Sequence, residues 1–546
     1  MTAALQTALD AALDTLFEAD PVLATFAGDH RFDAKLAAQD PDGRADATRR
    51  LATARAAIAA VPQNGLSVSD AVDRQLMIDE LDARARVDDV VRPSERDPGR
   101  VLDDLMFGVY LLLQREFAPL EERLARVVDR LRAAPQALAD ARRSLADARG
   151  VPRPWAETAS EVVPGLPSFF GVELAARAAG MAIEKDVREA GRAAAEAAEA
   201  YGRDLQGRIL PAAAGDFACG RTLFDFLLGT KHRLDLDADS LLALGKREIA
   251  EVTAEMERHA SKLAPGKTWR EVVDSCKENH PAAGDVVHAY AREMARARDF
   301  VREKDLAGFP PSESLDVVET PAFSRPFIPY AAYIAPAPFE KVQKGFFWVT
   351  PVDEDATEER RRQQLRDHCF FEIESVALHE GYPGHHLQLA LANLVPSRVR
   401  RVLWTSVFAE GWALYCEQMM GEQGFYSDPR VRLLQLKARL WRGWRVVVDS
   451  GLHTRGMSFD DAVATMVREA DLEEVNAVRE VRRYSSSPTQ PMSYTVGRHQ
   501  ILELQRDWRR AKPHATLREF HDALLAHGTV PFAFARKLMG LPVGPA

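Results

Sequence analysis

Three histidines and a carboxylate lie within one short segment of the second half of the chain, from His379 to His386. A histidine followed by a glutamate and, shortly afterwards, by another histidine is typical of zinc hydrolases. In such sites the imidazoles bind the metal and the glutamate takes a proton from a water that the metal activates. The usual motif separates its two histidines by four residues, because positions i and i+4 lie on one face of a helix. The spacing here is longer, so His379 and a later histidine share a metal only if the helix is interrupted between them.

Pro383 and Gly384 provide that interruption. Proline lacks an amide N–H, and its ring clashes with the carbonyl four residues back, which here belongs to His379. Glycine adopts backbone angles that other residues resist. We therefore predict a break in the helix that brings a late histidine back toward His379. Both His385 and His386 are candidates for that ligand, with His385 the first choice.

The third ligand is predicted to be Glu410. This residue lies in an apolar helical segment, 407–414, where an unpaired carboxylate is costly to bury, and coordination to a cation removes that cost. Two histidines and a glutamate, with water in the fourth position, form a common catalytic zinc site. The sequence therefore predicts one Zn²⁺ per chain, held by His379, His385 and Glu410, with Glu380 as the general base.

A later helix carries a polar stripe. Arg442, Arg445, Asp449 and His453 follow one another at helical spacing and so share one face. One interpretation is a row of surface ion pairs, each worth roughly a few tenths of a kcal/mol. The other is that the stripe faces a cleft, where Arg442 and Arg445 bind a substrate carboxylate and His453 polarises the substrate.

A polar loop after residue 484 leads into another helix and supplies a tyrosine. Tyr494 is predicted to donate a hydrogen bond to the oxyanion that forms during hydrolysis. Tyr484 is the rival for that role and a candidate for binding substrate. His386, if it is not a ligand, is predicted to contact the substrate or to support a ligand. Other histidines stand alone on polar segments and are predicted to be solvated, namely His30, His232, His259, His514, His521 and His527.

These motifs resemble those of a known bacterial family. The segments 379–388, 410–413, 445–453 and 494–497 are similar to signatures of the domain-of-unknown-function 885 family, and the resemblance extends over nearly the whole chain. That family looks like a distant branch of the metallopeptidases that include angiotensin-converting enzyme, neurolysin and the thermostable carboxypeptidases.

In those relatives a Gly-His pair closes the short motif and a later glutamate completes the metal site. Gly384 with His385, and then Glu410, match that pattern, although this motif has two extra residues after Glu380. The resemblance implies a mainly α-helical, zincin-like metallopeptidase with two helical lobes around a deep cleft and a small β-sheet near the site. It also implies a late tyrosine as the oxyanion donor.

Composition narrows the class of protein further. The hydrophobic content of 46% suffices for a large core, and the net charge of −10, with both signs interspersed, favours neither nucleic acid nor a membrane as partner. The first residues do not resemble a signal peptide, and no long uncharged apolar run predicts a membrane span. The four cysteines are scattered, which is typical of a reduced cytoplasmic protein.

The predicted secondary structure differs between parts of the chain. Amphipathic helices are predicted to about residue 310, then a proline-rich stretch contains the clearest β-strand, 346–350. This strand either covers one side of the core or forms a sheet edge that binds an extended peptide. We predict a helical lobe, 1–310, that forms one wall of the cleft, and a catalytic lobe, 311–546.

The function predicted from these observations is zinc-dependent hydrolysis of short peptides, of the oligopeptidase or carboxypeptidase type, by a monomer or homodimer. Two alternatives remain open. The same site is also compatible with a metal-dependent amidase or esterase that acts on a small non-peptide substrate. The extra residues in the motif are compatible with an inactive protein that only binds peptides.

Overall fold

The computed structural model of the protein describes residues 2–321, 325, 328 and 330–542. This part of the chain is mainly α-helical with one small sheet, as the sequence predicts. Two compact units are present: Met1–Cys219 with Ala337–Lys341, and Gly220–Pro336 with Val342–Ala546. We call them unit 1 and unit 2. This division differs from the boundary expected near residue 310, and the two lobes around a cleft stay a prediction.

The secondary structure described in unit 1 is helical apart from one isolated β-bridge between Pro152 and Gly215. Its first helix, α1, begins after the N-cap Thr2, whose hydroxyl accepts from the backbone of Leu5, and buries Leu5, Leu9, Leu13 and Leu16 along one face. The helices of unit 1 are α1 (Ala3–Ala19), α2 (Pro21–Ala27), α3 (Pro41–Ala60), α4 (Val68–Val90), α5 (Pro93–Arg96), α6 (Arg100–Gln114), α7 (Leu120–Ser144), α8 (Arg153–Val162), α9 (Leu166–Ser168), α10 (Leu174–Arg177), α11 (Glu184–Asp204) and α12 (Leu210–Ala212).

Unit 2 contains every residue of the predicted site. Its helices are α13 (Gly220–Phe226), α14 (Ala238–Leu263), α15 (Trp269–Lys277), α16 (Val286–Glu303), α17 (Glu358–Arg366), α18 (Phe370–Glu380), α19 (His385–Ala392), α20 (Arg398–Val402), α21 (Ser406–Glu422), α22 (Pro429–Thr454), α23 (Phe459–Ala470), α24 (Glu474–Ser486), α25 (Ser493–Ala511), α26 (Leu517–Leu525) and α27 (Phe532–Leu538). Among the described residues, no helix is long and apolar enough to span a membrane. The four cysteines are buried and free.

The sheet of unit 2 has three strands, β1 (Ser314–Glu319), β2 (Ala331–Ile334) and β3 (Lys344–Val349). The predicted strand is confirmed as β3, but its suggested position at the edge is wrong. It is the central strand, parallel to β1 and antiparallel to β2, so its backbone is hydrogen-bonded on both sides. Phe347 and Val349 of β3 pack against Ile373 and Ala377 of α18. The sheet therefore supports the helix that precedes the predicted metal site.

Helices α21 and α25 approach each other through two glycines. A Cβ on Gly411 would lie 2.4 Å from the Cα of Gly497, and a Cβ on Gly497 would lie 1.8 Å from the carbonyl oxygen of Val407. Only glycine fits this contact, because any side chain would overlap the facing backbone. Since Glu410 lies on α21 and Tyr494 on α25, the glycine pair sets the distance between two of the predicted site residues.

Candidate metal centre

The predicted break in the helix is confirmed. Helix α18 ends at Glu380 and α19 begins at His385, with a cis peptide bond before Pro383 in the turn between them. A Cβ on Gly384 would lie 1.8 Å from the carbonyl oxygen of His379. The turn therefore folds back on the end of α18 so closely that this position requires glycine.

The turn brings three of the predicted ligands together. His379, His385 and Glu410 each offer a ligand atom, and these atoms lie within 4.8 Å of one another. His385 Nε2 is 3.3 Å from Glu410 Oε2, and the rings of His379 and His385 are nearly perpendicular, with centroids 4.9 Å apart. The three side chains come from α18, α19 and α21, and we call them the three-residue cluster. His385, rather than His386, is the second histidine of this cluster.

Electrostatics couples two members of the three-residue cluster. Burial raises the pKa of Glu410, but the hydrogen bond from His385 and the charge of that histidine outweigh it and lower the pKa to about 2. Burial lowers the pKa of His385, but Glu410 outweighs it, so that pKa is raised. The carboxylate therefore favours the protonated form of the imidazole. A cation that bound here would compete with this proton, which makes metal affinity depend on pH.

A carboxylate that the sequence reasoning missed supports His379. Glu417 Oε1 lies 2.7 Å from His379 Nδ1, and the Glu417 side chain is 2% exposed. Burial raises the pKa of Glu417, but the charge of Arg442 and the hydrogen bond with His379 outweigh it and lower that pKa. A carboxylate on Nδ1 orients the ring and leaves Nε2 for a metal. The available signal was that Glu417 lies two turns after Glu410 in the same apolar helix.

His386 does not belong to the three-residue cluster. Its side chain is fully buried, with Nε2 2.8 Å from Glu313 Oε2 and Nδ1 3.1 Å from the hydroxyl of Tyr333. The hydroxyl of Tyr382 donates to the same Glu313 oxygen at 2.6 Å. The two adjacent histidines therefore have different surroundings. His386 ties the start of α19 to β2 and has no exposed surface with which to contact a substrate.

Glu380 is the residue that the sequence predicts as the general base. It directly follows His379 at the end of α18 and is half-buried. Both residues line a cavity of about 560 Å³ in unit 2, together with Glu417, Trp441 and Arg442. A ligand in this cavity would therefore contact a wall that contains both Glu380, the predicted base, and His379, a member of the three-residue cluster.

Of the two candidate tyrosines, Tyr494 lies near the three-residue cluster. Burial and the negative charge of Glu410 raise the pKa of Tyr494, so its phenol remains protonated at neutral pH. Tyr484 is fully buried. Its hydroxyl donates to Glu480 Oε2 at 2.5 Å and accepts from Arg445 Nε at 2.8 Å. Tyr484 is thus occupied within the protein.

The polar stripe on α22 is divided between cavity and core. Arg442 lines the cavity, whereas Arg445 is buried and donates to Glu480 Oε2 at 2.9 Å. Asp449 and His453 are buried at the far end of the helix, where His453 Nε2 lies 3.0 Å from the carbonyl oxygen of Tyr484. The interpretation as surface ion pairs is therefore wrong for these buried members. The structure does not bring His453 to the three-residue cluster.

Two histidines predicted to be solvated are buried. His232 is 2% exposed and lies between the hydroxyls of Thr405 and Thr489. His521 is fully buried, with Nδ1 2.7 Å from the carbonyl oxygen of Leu306. The prediction is wrong for both because residues distant in sequence, rather than the polar neighbours along the chain, determine their exposure.

Two solved structures are similar to this chain over nearly its whole length. One is a candidate lipoprotein of unknown function from Shewanella oneidensis, with a TM-score of 0.80 and 24% identity, covering 98% of this chain and 100% of that chain. The other is a candidate lipoprotein from Colwellia psychrerythraea, with a TM-score of 0.83 and 18% identity, covering 99% of each chain. At these identities the likeness shows the fold alone.

No curated protein is similar enough to match this chain. A family model matches, and its description is a bacterial protein of unknown function, DUF885. The match covers residues 21–539, which is nearly the whole sequence. The chain therefore belongs to the DUF885 family of bacterial proteins of unknown function.

Proposed function

We propose that this protein is a zinc-dependent hydrolase of short peptides, a distant member of the His-Glu metallopeptidases. One observation carries the proposal: ligand atoms of His379, His385 and Glu410 lie within 4.8 Å of one another. The resemblance of the sequence motifs to those of the metallopeptidases supports it.

The donor set fits zinc. Two imidazole nitrogens and a carboxylate oxygen are the protein ligands of many catalytic zinc sites, which keep one position for water or substrate. The carboxylate of Glu417 on His379 Nδ1 supports the assignment, because histidines that bind metal usually donate their other ring N–H to such a group. When bound, zinc would polarise the substrate carbonyl and activate the attacking water.

The protein groups around the cluster supply the proton transfers. Glu380 would take a proton from the attacking water and deliver it to the amine that leaves. Tyr494, whose pKa is raised, would donate a hydrogen bond from its phenol to the oxyanion. The cavity of about 560 Å³ has a size typical of sites for small ligands, which favours short peptides over folded proteins.

Metal analysis and a matched pair of variants test this proposal. We expect about one zinc per wild-type chain, and little in His379→Ala, by elemental analysis of protein purified without chelators or a His-tag. Glu380→Gln should keep the zinc and lose about a hundredfold or more in turnover of a peptide panel. Glu372→Gln makes the same change on the same helix and cavity wall, and it should retain activity. An active Glu380→Gln enzyme would remove Glu380 as the base.

The cellular location stays a prediction. The two similar structures are candidate lipoproteins, whereas the cysteine pattern of this chain predicts a cytoplasmic protein. Cell fractionation that recovered the native protein with membranes would contradict the cytoplasmic location.

A further inference from the structure

Arg442 has N–H donors on the cavity wall without acceptors. Its side chain is 13% exposed, and within the described chain only Nη1 makes a hydrogen bond, to the carbonyl oxygen of Ala438 at 3.1 Å. Nη2 lies 3.6 Å from Glu417 Oε1, which is longer than a good hydrogen bond. Nε is buried and has no partner. An arginine fork thus faces the cavity with most of its donors unused.

Two neighbouring side chains on α22 add further donors. Nε1 of Trp441, which also lines the cavity, is buried and has no partner, and the same holds for Nη1 of the buried Arg445. The guanidinium carbons of Arg442 and Arg445 lie 5.5 and 4.6 Å from the ring centroid of Tyr494. Three unpartnered donors therefore lie within about one turn of one helix, beside the predicted oxyanion donor.

Buried N–H groups without partners are uncommon in native proteins because their desolvation is not repaid. Glu417 does not meet this need, because its Oε1 lies 3.6 Å from Arg442 Nη2 and neither of its oxygens is a hydrogen-bond partner of Arg442 Nε. An anionic ligand with planar geometry would satisfy a guanidinium fork best, and a carboxylate has that shape. The arrangement therefore favours a carboxylate as occupant.

We propose that Arg442 and Trp441, which line the cavity, bind the C-terminal carboxylate of a short peptide, with Arg442 as its main contact, and that the protein removes residues from the C-terminus. The inference rests on the proposed function, because it takes a peptide as the ligand. Glu417 Oε1 lies 3.6 Å from Arg442 Nη2 and 2.7 Å from His379 Nδ1, so the two side chains are close together. Since one residue spans about 3.5 Å, a carboxylate held at Arg442 would place a peptide bond close to its own end at the three-residue cluster. This assigns the substrate class as short peptides with a free C-terminus.

Binding to the Glu380→Gln chain tests the inference without consuming the peptide. Isothermal titration calorimetry, with and without added zinc, would compare the dipeptide Ala-Leu as the free acid with its C-terminal amide. We expect the acid to bind at least about tenfold more tightly, as a charged hydrogen-bonded pair implies. Adding Arg442→Gln should bring the two affinities within about twofold. Arg479→Gln, which removes the same charge from an exposed part of the same cavity wall, should keep the preference.

Several outcomes would overturn the inference. Equal affinity of the Glu380→Gln chain for acid and amide, or binding of neither, would contradict the inference before any change at Arg442. A preference that survives both Arg442→Gln and Arg442→Lys would remove Arg442 as the contact. Equally tight binding of an amide whose only carboxylate is an aspartate side chain would show that the terminus is not recognised. Because the measurement is binding, a protein without peptidase activity that still prefers the acid would refute the proposed function and the removal of C-terminal residues, and would retain Arg442 as a site for the terminal carboxylate.

Discussion

The contact between Glu417 and His379 allows a quantitative prediction about metal affinity. Glu417→Ala removes a carboxylate that lies 2.7 Å from His379 Nδ1 and whose side chain is 2% exposed. Loss of such a supporting group typically lowers metal affinity by about 10- to 100-fold. Because the contact is short and 2% exposed on the glutamate side, we expect about a hundredfold loss, or about 2.7 kcal/mol.

Glu417→Gln should cost less. Its amide oxygen can still accept from Nδ1, so the ring keeps its orientation and only the charge assistance is lost, which is about half the strength of the hydrogen bond. We therefore expect about a tenfold loss of zinc affinity, or about 1.4 kcal/mol. Zinc affinity should thus fall in about equal steps from wild type to Glu417→Gln and from Glu417→Gln to Glu417→Ala.

Competition with a chromophoric chelator measures these affinities in the purified full chain. Glu422→Gln is the matched control, because it makes the same change at an exposed position on the same helix and should leave affinity unaltered. Circular dichroism would verify that each variant is folded. If both Glu417 variants bound zinc within about threefold of wild type, the carboxylate would not support a metal ligand, and our reasoning about His379 would fail.

Three further predictions concern the fold around the site. Gly384→Ala places a Cβ 1.8 Å from a carbonyl oxygen of α18 and should abolish zinc binding in equilibrium dialysis, whereas Gly229→Ala, with open space around it, should not. Gly497→Ala overlaps the backbone of α21 and should lower the free energy of unfolding in urea by about 1–3 kcal/mol or more, against no comparable loss for Gly229→Ala. His521 has its pKa lowered by burial to about 4, below the unfolded value of 6.5, so the unfolded chain takes up the proton first as the pH falls. The neutral imidazole of His521 therefore makes its full contribution to the free energy of unfolding above pH 6.5. About 3 kcal/mol of that contribution is lost by pH 4. The difference in unfolding free energy between wild type and His521→Gln should change by that amount between pH 7 and 4, and a constant difference would contradict the assignment.

The parts of the site that local sequence determines were predictable. Pro383 and Gly384 act on a carbonyl only a few residues away, so the break between α18 and α19 follows from backbone chemistry alone. The grouping of His379 with His385 then required only that the chain turn back. The same holds for β3, whose composition identifies it as a strand without reference to its neighbours.

Features that depend on distant residues were not predictable in the same way. The central position of β3 depends on β1 and β2, which precede it in a proline-rich stretch with weak strand patterns. The periodicity on α22 places Arg442 and His453 on one face, but it does not indicate that the far end of that face is covered by α13 and α24. Glu417 belongs to no short motif, and its role appears only once α18 lies beside α21.

The glycine contact between α21 and α25 has a consequence for motion. Backbone packed directly on backbone leaves no side chains that can change rotamer and accommodate a small slide, so the two helices separate only by opening together. Their amide hydrogens should therefore be among the slowest in unit 2 to exchange with solvent. Glu410 and Tyr494 then hold their mutual distance before any ligand arrives.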